Sequence, residues 1–439
     1  MRDGAARTSV NLLELIFGRH EAWEFAVRLW DGDTIAGTGH PRFTLVLREP
    51  SALRAAFTPP LELNPGRAFV EGAIDIEGDA ETAVDIMAGA ADGISPARAA
   101  AIGLRLLRLP KPELRDGHPQ PQLRGRMHSR KRDAAAIGFH YDQPVSFYRT
   151  FLGDELVYSC AYYDEGVATL EDAQRAKIDY TLRKLQLRPG ETLLDIGCGW
   201  GTLVMRAAKV FGANALGITL SRRQYEEARR RIAAEGLEGR ADVELCDYRA
   251  LGDRTFDKIV SVGMVEHVGR SQLTTYFRSA MQALRPGGLF LNHGIAEQSS
   301  RRRGYRSSGF LARYVFPDGE LLPVSTMNEF AERIGFEVRD VENLREHYAR
   351  TLRDWVNNLE RNREAAVAAT DERTYRIWRL YMAGSAQGFR RGRMGVFQSL
   401  LSKPDAQGRT LLPATRRDLY RLPGMQASSV PTLGQREQV

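Results

Sequence analysis

The sequence predicts an α/β protein built on a doubly wound, largely parallel sheet, with a smaller α+β domain in front of it. Three observations predict this. Short apolar runs alternate with amphipathic stretches between residues 191 and 341, the βαβα rhythm of a parallel sheet. The first run, Leu-Leu-Asp-Ile-Gly-Cys-Gly-Trp-Gly at 193–201, passes from a buried strand into a turn with alternate glycines, then into a helix through Leu203, Val204, Ala207, Ala208 and Phe211. Beyond the strand ends of such a sheet lies the crevice for a nucleotide-like ligand, against that turn and helix N-terminus. A Pro- and Arg-rich stretch at 109–137 sets this region apart from residues 1–108.

The elements follow in order. Residues 12–29 have helical periodicity, and 42–48 alternate like a half-buried strand. Residues 51–57 read as a short helix and 68–77 as a hairpin turned at Gly72. Helices follow at 80–89 and 96–107. His20 and His40 stand alone, and no catalytic constellation lies in this domain. The 109–137 linker carries Pro110, Pro112, Pro119 and Pro121 and ends in the basic run at 124–132. Such a run is ordinarily a solvated face. As a tether to an anionic surface it would contribute about 1 kcal/mol per basic residue. The catalytic region spans 138–402. A helix at 171–185 leads to the strand at 191–196. A second strand covers 213–219, and Ser221 caps a helix to 235 with Gln224 three residues on. Strands at 242–246 and 256–262, a helix at 271–284 and a strand at 289–292 continue the rhythm. Residues 297–326 interrupt it with the basic stretch 301–306 and the aromatic and aliphatic run 310–317. An insertion there is placed to cover the site. A helix at 327–334, a strand at 336–341 and helices at 351–369 and 372–389 follow. From Lys403 to 439 the composition is that of a mobile tail.

The net charge of +7 over 439 residues suits an anionic partner without choosing one. Cys160, Cys198 and Cys246 show neither disulfide nor metal-ligand spacing, so no metal is expected and a reducing cytoplasm is. No apolar run reaches the roughly 18 residues that span a bilayer. The run at 11–17 is short and broken by Glu14, so no signal peptide is expected and membrane contact must be peripheral.

The Asp-x-Gly-x-Gly-x-Gly spacing at 195–201 differs from the Gly-x-Gly-x-x-Gly of dinucleotide enzymes. It looks like motif I of the S-adenosylmethionine-dependent methyltransferases. Other motifs accompany it: His140-Tyr-Asp, Tyr158-Ser-Cys-Ala-Tyr-Tyr, Gly217-Ile-Thr-Leu-Ser-x-x-Gln224, Glu266-His-Val-Gly, His293-Gly-Ile295, Tyr314-x-Phe-Pro-x-Gly, and His347-Tyr348 before an Arg- and Trp-bearing helix. In that order they resemble the cyclopropane-fatty-acyl-phospholipid synthase family, which includes the mycolic acid cyclopropane synthases. The resemblance covers about 138–402 and, less distinctly, 40–90, which look like the amino-terminal domain of the phospholipid-acting members. Asp142-Gln-Pro-Val-Ser146 departs from the Gly-Asn pair of many members. The fold implied is a class I S-adenosylmethionine methyltransferase, a Rossmann-like doubly wound sheet with a helical insertion and C-terminal cap.

The resemblance implies S-adenosylmethionine over Asp195, Gly197, Cys198 and Gly199, closed by Tyr158 and Ser159. Thr219 and Gln224 would supply neutral hydrogen bonds where many methyltransferases use a carboxylate, with Leu220 and Ser221 also at the cofactor. Asp247 and Tyr248 would meet the adenine and Val262 would flank it. Helix capping is the alternative for Ser221 and Gln224, and strand packing for Val262. The resemblance also implies a bound bicarbonate held by Cys160, Glu266, His293, the backbone of Ile295, and Tyr348. It would take the proton that ring closure releases, with His and Tyr donating to the anion and Glu accepting its hydroxyl. Taken singly, Cys160, His293 and Tyr348 read equally as packing. Tyr162, Tyr163, Tyr305, Phe310, Tyr314 and Phe316 are candidates for an acyl channel.

The activity implied is transfer of a one-carbon unit to the cis double bond of an unsaturated phospholipid chain at the inner face of a membrane. Two variants stay open: a methylene or methyl-branched product from the same cation, and an acyl chain on a carrier protein. A homodimer is left open. No nucleic-acid recognition module is present, and a non-catalytic lipid-binding role is disfavoured because both sets of positions are filled.

Overall fold

A computed structural model of the chain describes residues 4–37, 39–92, 94–113, 123–298, 309–410 and 412–416. The first domain has a four-stranded sheet of β1 (Ala26–Arg28), β2 (Thr34–Ala36), β3 (Phe43–Leu47) and β4 (Ile74–Gly78), in the order β2-β1-β3-β4. Its core gathers Leu12, Phe25, Leu45, Leu53, Phe69 and Ile102 from strands and helices together. Two expectations fail here. The helix at the start is Gly4–Phe17, and residues 26–28 are a strand. Gly18 has a φ of 86° and ends the helix there. The hairpin expected at 68–77 is instead the helix Asn64–Val70, with Pro65 in its first turn, running through a bend at Gly72 into β4.

The second domain is a seven-stranded sheet: β5 (Thr192–Ile196), β6 (Asn214–Thr219), β7 (Ala241–Leu245), β8 (Phe256–Val262), β9 (Leu284–Glu297), β10 (Glu337–Asn343) and β11 (Met394–Ser402), in the order β10-β11-β9-β8-β5-β6-β7. Strands β5 to β9 pair in parallel, and β11 runs antiparallel between β9 and β10. Because β5 lies between β6 and β8, the turn after it opens at the point where the strand order reverses. A Cβ at Gly217 of β6 would lie 2.6 Å from that of Cys198, so this close packing requires glycine.

Further boundaries move. The linker expected to reach 137 ends in the helix Arg130–Tyr141. Two of its basic residues are used inside the protein: Arg130 donates to the Arg249 carbonyl at 2.8 Å, and Arg132 pairs with Asp318. The helix Val145–Leu152, buried through Phe147, Tyr148 and Phe151, was not expected. The helix expected at 351–369 is two, Arg345–Arg361 and Arg363–Ala369. Strand β11, unread in the sequence, fills the place between β9 and β10. The tail expected from 403 begins with an anchor, because Lys403 donates to the carbonyls of Met281 and Leu284 at 2.8 and 2.7 Å. Its part beyond 416, Tyr305 and the basic stretch 301–306 lie outside the described residues.

The long helix Glu372–Arg390 joins the domains. Arg376 donates to the Phe69 carbonyl at 2.8 Å and pairs with Asp75. Arg379 donates to the carbonyls of Ile76 and Gly78 at 2.8 and 2.9 Å and pairs with Glu360. Both guanidiniums are buried, and their fork geometry meets several acceptors at once. Replacing Arg379 with Met strands two carbonyls and a carboxylate. Urea unfolding should show a loss of about 2–4 kcal/mol; a loss under about 0.5 kcal/mol would mean that water replaces the guanidinium without cost.

Candidate active site

The segment 155–162 is irregular and mostly buried, so its backbone polar groups need partners from outside. The helix Leu170–Lys184 supplies several of them and also holds the Ser159 hydroxyl. Gln174 donates to the carbonyls of Val157 and Ser159 at 3.3 and 2.9 Å, and Lys177 to Ser159 Oγ at 2.8 Å. The Tyr162 amide donates to the Ala173 carbonyl at 3.0 Å. On the other side the Ala161 amide donates to Thr351 Oγ1 at 3.0 Å. This fixes Tyr158, Ser159 and Cys160 between two cavities.

The first cavity lies over the turn after β5. Asp195, Gly197, Cys198 and Gly199 form its floor, Tyr158 and Ser159 its roof, and Thr219, Leu220, Gln224, Tyr248 and Val262 its far wall. A Cβ at Gly199, where φ is 54°, would meet nothing within 4 Å. Thr219 donates to Gln224 Oε1 at 2.8 Å, which holds that amide at the end of β6. Two residues expected here are spent elsewhere. Ser221 caps the helix Arg222–Ala234, accepting from the Gln224 amide at 3.3 Å. Asp247 turns onto Arg249 at 2.7 Å, which with the Arg249 amide holds its carboxyl below the usual range against its burial. Neither lines the cavity. Cys198 packs against β6, and burial pushes its thiol well up, so it is no nucleophile.

The charge at this floor is unusual. Burial raises the Asp195 carboxyl to about 7, against the pull of Lys177. Burial also lowers Lys177 to about 8. Asp195 Oδ1 is buried without a partner. An acceptor left open in a cavity wall suits a ligand carrying a cationic or N–H group. S-adenosylmethionine carries both a sulfonium and an ammonium, so the donor set fits it.

The second cavity shares Tyr141, Tyr158, Ser159, Gly263 and His267 with the first. It brings together Cys160, Glu266, His293, Ile295 and Tyr348, which are widely separated in the chain. Glu266 follows β8 in a short helical turn, Val265–His267. Its Oε1 accepts the Ile295 amide at 2.6 Å, so that amide is spent on Glu266 in this structure. Its Oε2 has no partner, and burial raises the carboxyl to about 7. His293, on β9, is pushed down to about 3 by burial and so is neutral. The Gln398 amide nitrogen lies 3.2 Å from His293 Nδ1; with that nitrogen accepting, the proton sits on Nε2. Cys160 is fully buried and its thiol points to the carbonyls of Ala161 and Leu344 at 3.2 and 3.7 Å. Burial raises it and Tyr348 well above their usual ranges.

Of the expected channel aromatics, Phe316 lines this cavity and Phe310 an adjoining one. Tyr162 stacks between Tyr180 and His347, Tyr163 donates to Asp354 at 2.7 Å, and Tyr314 is buried in the core. The aromatic wall is instead Tyr141, Tyr158, Phe316, Tyr381 and Phe389. Sequence reading also missed Lys177, His267 and Gln398. Lys177 had a signal, a cation on the apolar face of the helix at 171–185. Tyr141 and His267 sat inside quoted motifs. Gln398 had none, because its strand was not recognised.

Residues 128–399 match the family model described as mycolic acid cyclopropane synthetase. The chain is 42% identical over 398 residues to a probable fatty acid methyltransferase of Pseudomonas putida, covering 90% of this chain and 96% of that protein. It is 37% identical over 280 residues to cyclopropane mycolic acid synthase 1 of Mycobacterium tuberculosis, covering 61% of this chain and 97% of that one. The solved mycolic acid cyclopropane synthase CmaA1 complexed with SAH and CTAB superposes with a TM-score of 0.58 at 35% identity, over 62% of this chain and 98% of that one.

Replacing Asp195 with Asn removes the anionic acceptor while keeping its shape. Calorimetric titration should show S-adenosylmethionine binding weakened by roughly 10- to 100-fold; affinity within about twofold of wild type would mean that Asp195 serves only the fold.

Proposed function

The chain belongs to the mycolic acid cyclopropane synthetase family, and from that premise we propose that it methylenates the cis double bond of unsaturated phospholipid acyl chains, giving cyclopropane fatty acids. S-adenosylmethionine-dependent methyl transfer to lipid acyl chains comes with the family. The cyclopropane outcome, the phospholipid and a bicarbonate base are our reading. The observation that carries it is the unpaired, high-pKa Glu266 beside a neutral His293, in a cavity that opens onto the cofactor floor.

An isolated alkene is a weak nucleophile, so donor and acceptor must be held in line and away from water. When bound, S-adenosylmethionine supplies an electrophilic methyl. Tyr158 and Ser159, common to both cavities, would set the distance between that methyl and the acyl chain. Attack leaves positive charge on the chain, and the rings of Tyr141, Tyr158, Phe316 and Tyr381 would present their faces to it. Ring closure then needs a base close by that is not itself alkylated. A bicarbonate held there would supply it. The residues fit that anion: His293 offers Nε2–H, Tyr348 a hydroxyl and Glu266 an unpaired oxygen for the anion's own proton. Glu266 must be ionised to accept that proton.

A phospholipid substrate is supported by the first domain and by the net charge of +7; the Pseudomonas putida relative, matched over nearly its whole length and named a probable fatty acid methyltransferase, supports an acyl substrate. Among the described residues no helix is long and apolar enough to cross a membrane. The proposed contact is peripheral, at the inner face, through basic residues, and falls with salt.

Vesicles of monounsaturated phospholipid with S-adenosylmethionine should give fatty acids one methylene heavier, with cyclopropane ring protons in NMR. Vinylic methylene or methyl-branch signals would replace the ring reading with the branched one, and no mass gain from any lipid would sink both. Glu266→Gln should abolish product while cofactor affinity stays within about threefold. At fixed bicarbonate, wild-type kcat/KM should rise as pH passes through about 7, because the active form is the carboxylate. A profile flat from acid to alkaline pH would remove Glu266 from that role.

A further inference from the structure

A double bond in mid-chain leaves methylenes on both sides, so a site for it needs two apolar extensions. The catalytic cavity continues past its aromatic wall. Leu311, Tyr381, Ser385 and Met394 border it and also border a second hollow. The far side of that hollow belongs to the first domain, through Leu61, Pro65 and Gly66. Its lining mixes apolar Leu61, Pro65, Leu311, Leu380 and Met394 with Glu62, Gln298 and Arg393, of which Glu62 and Gln298 are exposed.

The junction is closely fitted. The Phe310 amide donates to the Glu62 carbonyl at 3.1 Å, and a Cβ at Gly309 would lie 2.5 Å from that oxygen. A Cβ at Gly66 would run into the Phe310 ring. The first domain therefore holds the helix Phe310–Tyr314, which carries Leu311 of the shared wall and Phe310 of the hollow. Across the hollow stands the helix Glu372–Arg390, where a Cβ at Gly384 would meet nothing within 4 Å. Glycine in a helix interior is destabilising, and here it leaves room in the hollow.

We propose that this hollow is an acyl-chain subsite. The methylenes on the carboxyl side of the double bond lie in it, with the ester and headgroup near the exposed Glu62 and Gln298. The first domain is then part of the substrate site through the 61–66 segment. This rests on the reading that a lipid acyl chain is the substrate.

The test uses the full chain with vesicles of monounsaturated phosphatidylethanolamine and phosphatidylglycerol. Gly384→Phe fills the hollow from a helix position with space for the ring; Leu61→Asp puts a charge on its far wall at an exposed residue. Displacing even two methylenes from apolar contact costs about tenfold, so Gly384→Phe should lower kcat/KM for lipid at least about tenfold. S-adenosylmethionine affinity should be unchanged in both Gly384→Phe and Leu61→Asp. Wild-type kcat/KM in a Gly384→Phe protein that melts like wild type would overturn the proposal. Where that variant does not fold, Leu61→Asp decides: a several-fold loss supports the subsite, and unchanged kcat/KM overturns it. Wild-type protein inactive on every lipid would instead overturn the substrate reading, whatever the variants do.

Discussion

Everything at this centre depends on how the irregular segment 155–162 is satisfied. A buried stretch without a ladder of its own must find each backbone partner elsewhere. Gln174 and the Ala173 carbonyl provide partners from one helix and Thr351 from another. That geometry lets one short segment face two ways, with Tyr158 and Ser159 toward the cofactor floor and Cys160 beside the proposed base. Were the segment free to move, the two cavities would lose their common wall, and alignment of donor and acceptor with it.

The electrostatics follow from the same burial. The apolar surroundings a carbocation needs also disfavour every ionised side chain, and the protein answers residue by residue. His140, His267 and His293 stay neutral, with the last two pushed down to about 4 and about 3. Asp195 and Glu266 both rise to about 7, poised to ionise when a partner arrives. Each keeps one unpaired oxygen, Oδ1 of Asp195 and Oε2 of Glu266. In the proposed reading Asp195 would face the cationic cofactor and Glu266 the hydroxyl of a bound bicarbonate, so one device would serve two tasks. Gln398 extends it by holding His293 in the tautomer that donates into the cavity.

The parallel core of the sheet was legible because buried parallel strands are continuous apolar runs with sharp glycine ends; β8 fell at 256–262 as read. Strand β11 escaped because Gln398, Ser399 and Ser402 interrupt its apolar pattern although all three are buried; Gln398 donates to Thr181 Oγ1 at 3.3 Å and Ser402 to Glu337 at 3.5 Å. The first domain was read least well. Its short strands β1 and β2 carry little periodicity, and Ala68-Phe-Val resembles a strand until Pro65 is weighed as a helix start. At the site, residues quoted within motifs are brought together in one cavity, and those that support them were not expected. Glu266 and His293 stand in recognisable motifs. Lys177 and Gln398 act through contacts that only the fold creates. Asp247 shows the opposite: a carboxylate after a strand looks available in the sequence, while in the fold the neighbouring Arg249 pairs with it.

The central claim is that a proton leaves the newly transferred carbon in the cavity of Glu266 and His293. Mass spectrometry of lipid product made with S-adenosylmethionine bearing a fully deuterated methyl tests it most directly. The account predicts that, of the methyl's deuterons, one is lost and the rest stay on a ring carbon. Product that keeps the whole deuterated methyl, as a branch on the chain, would contradict it.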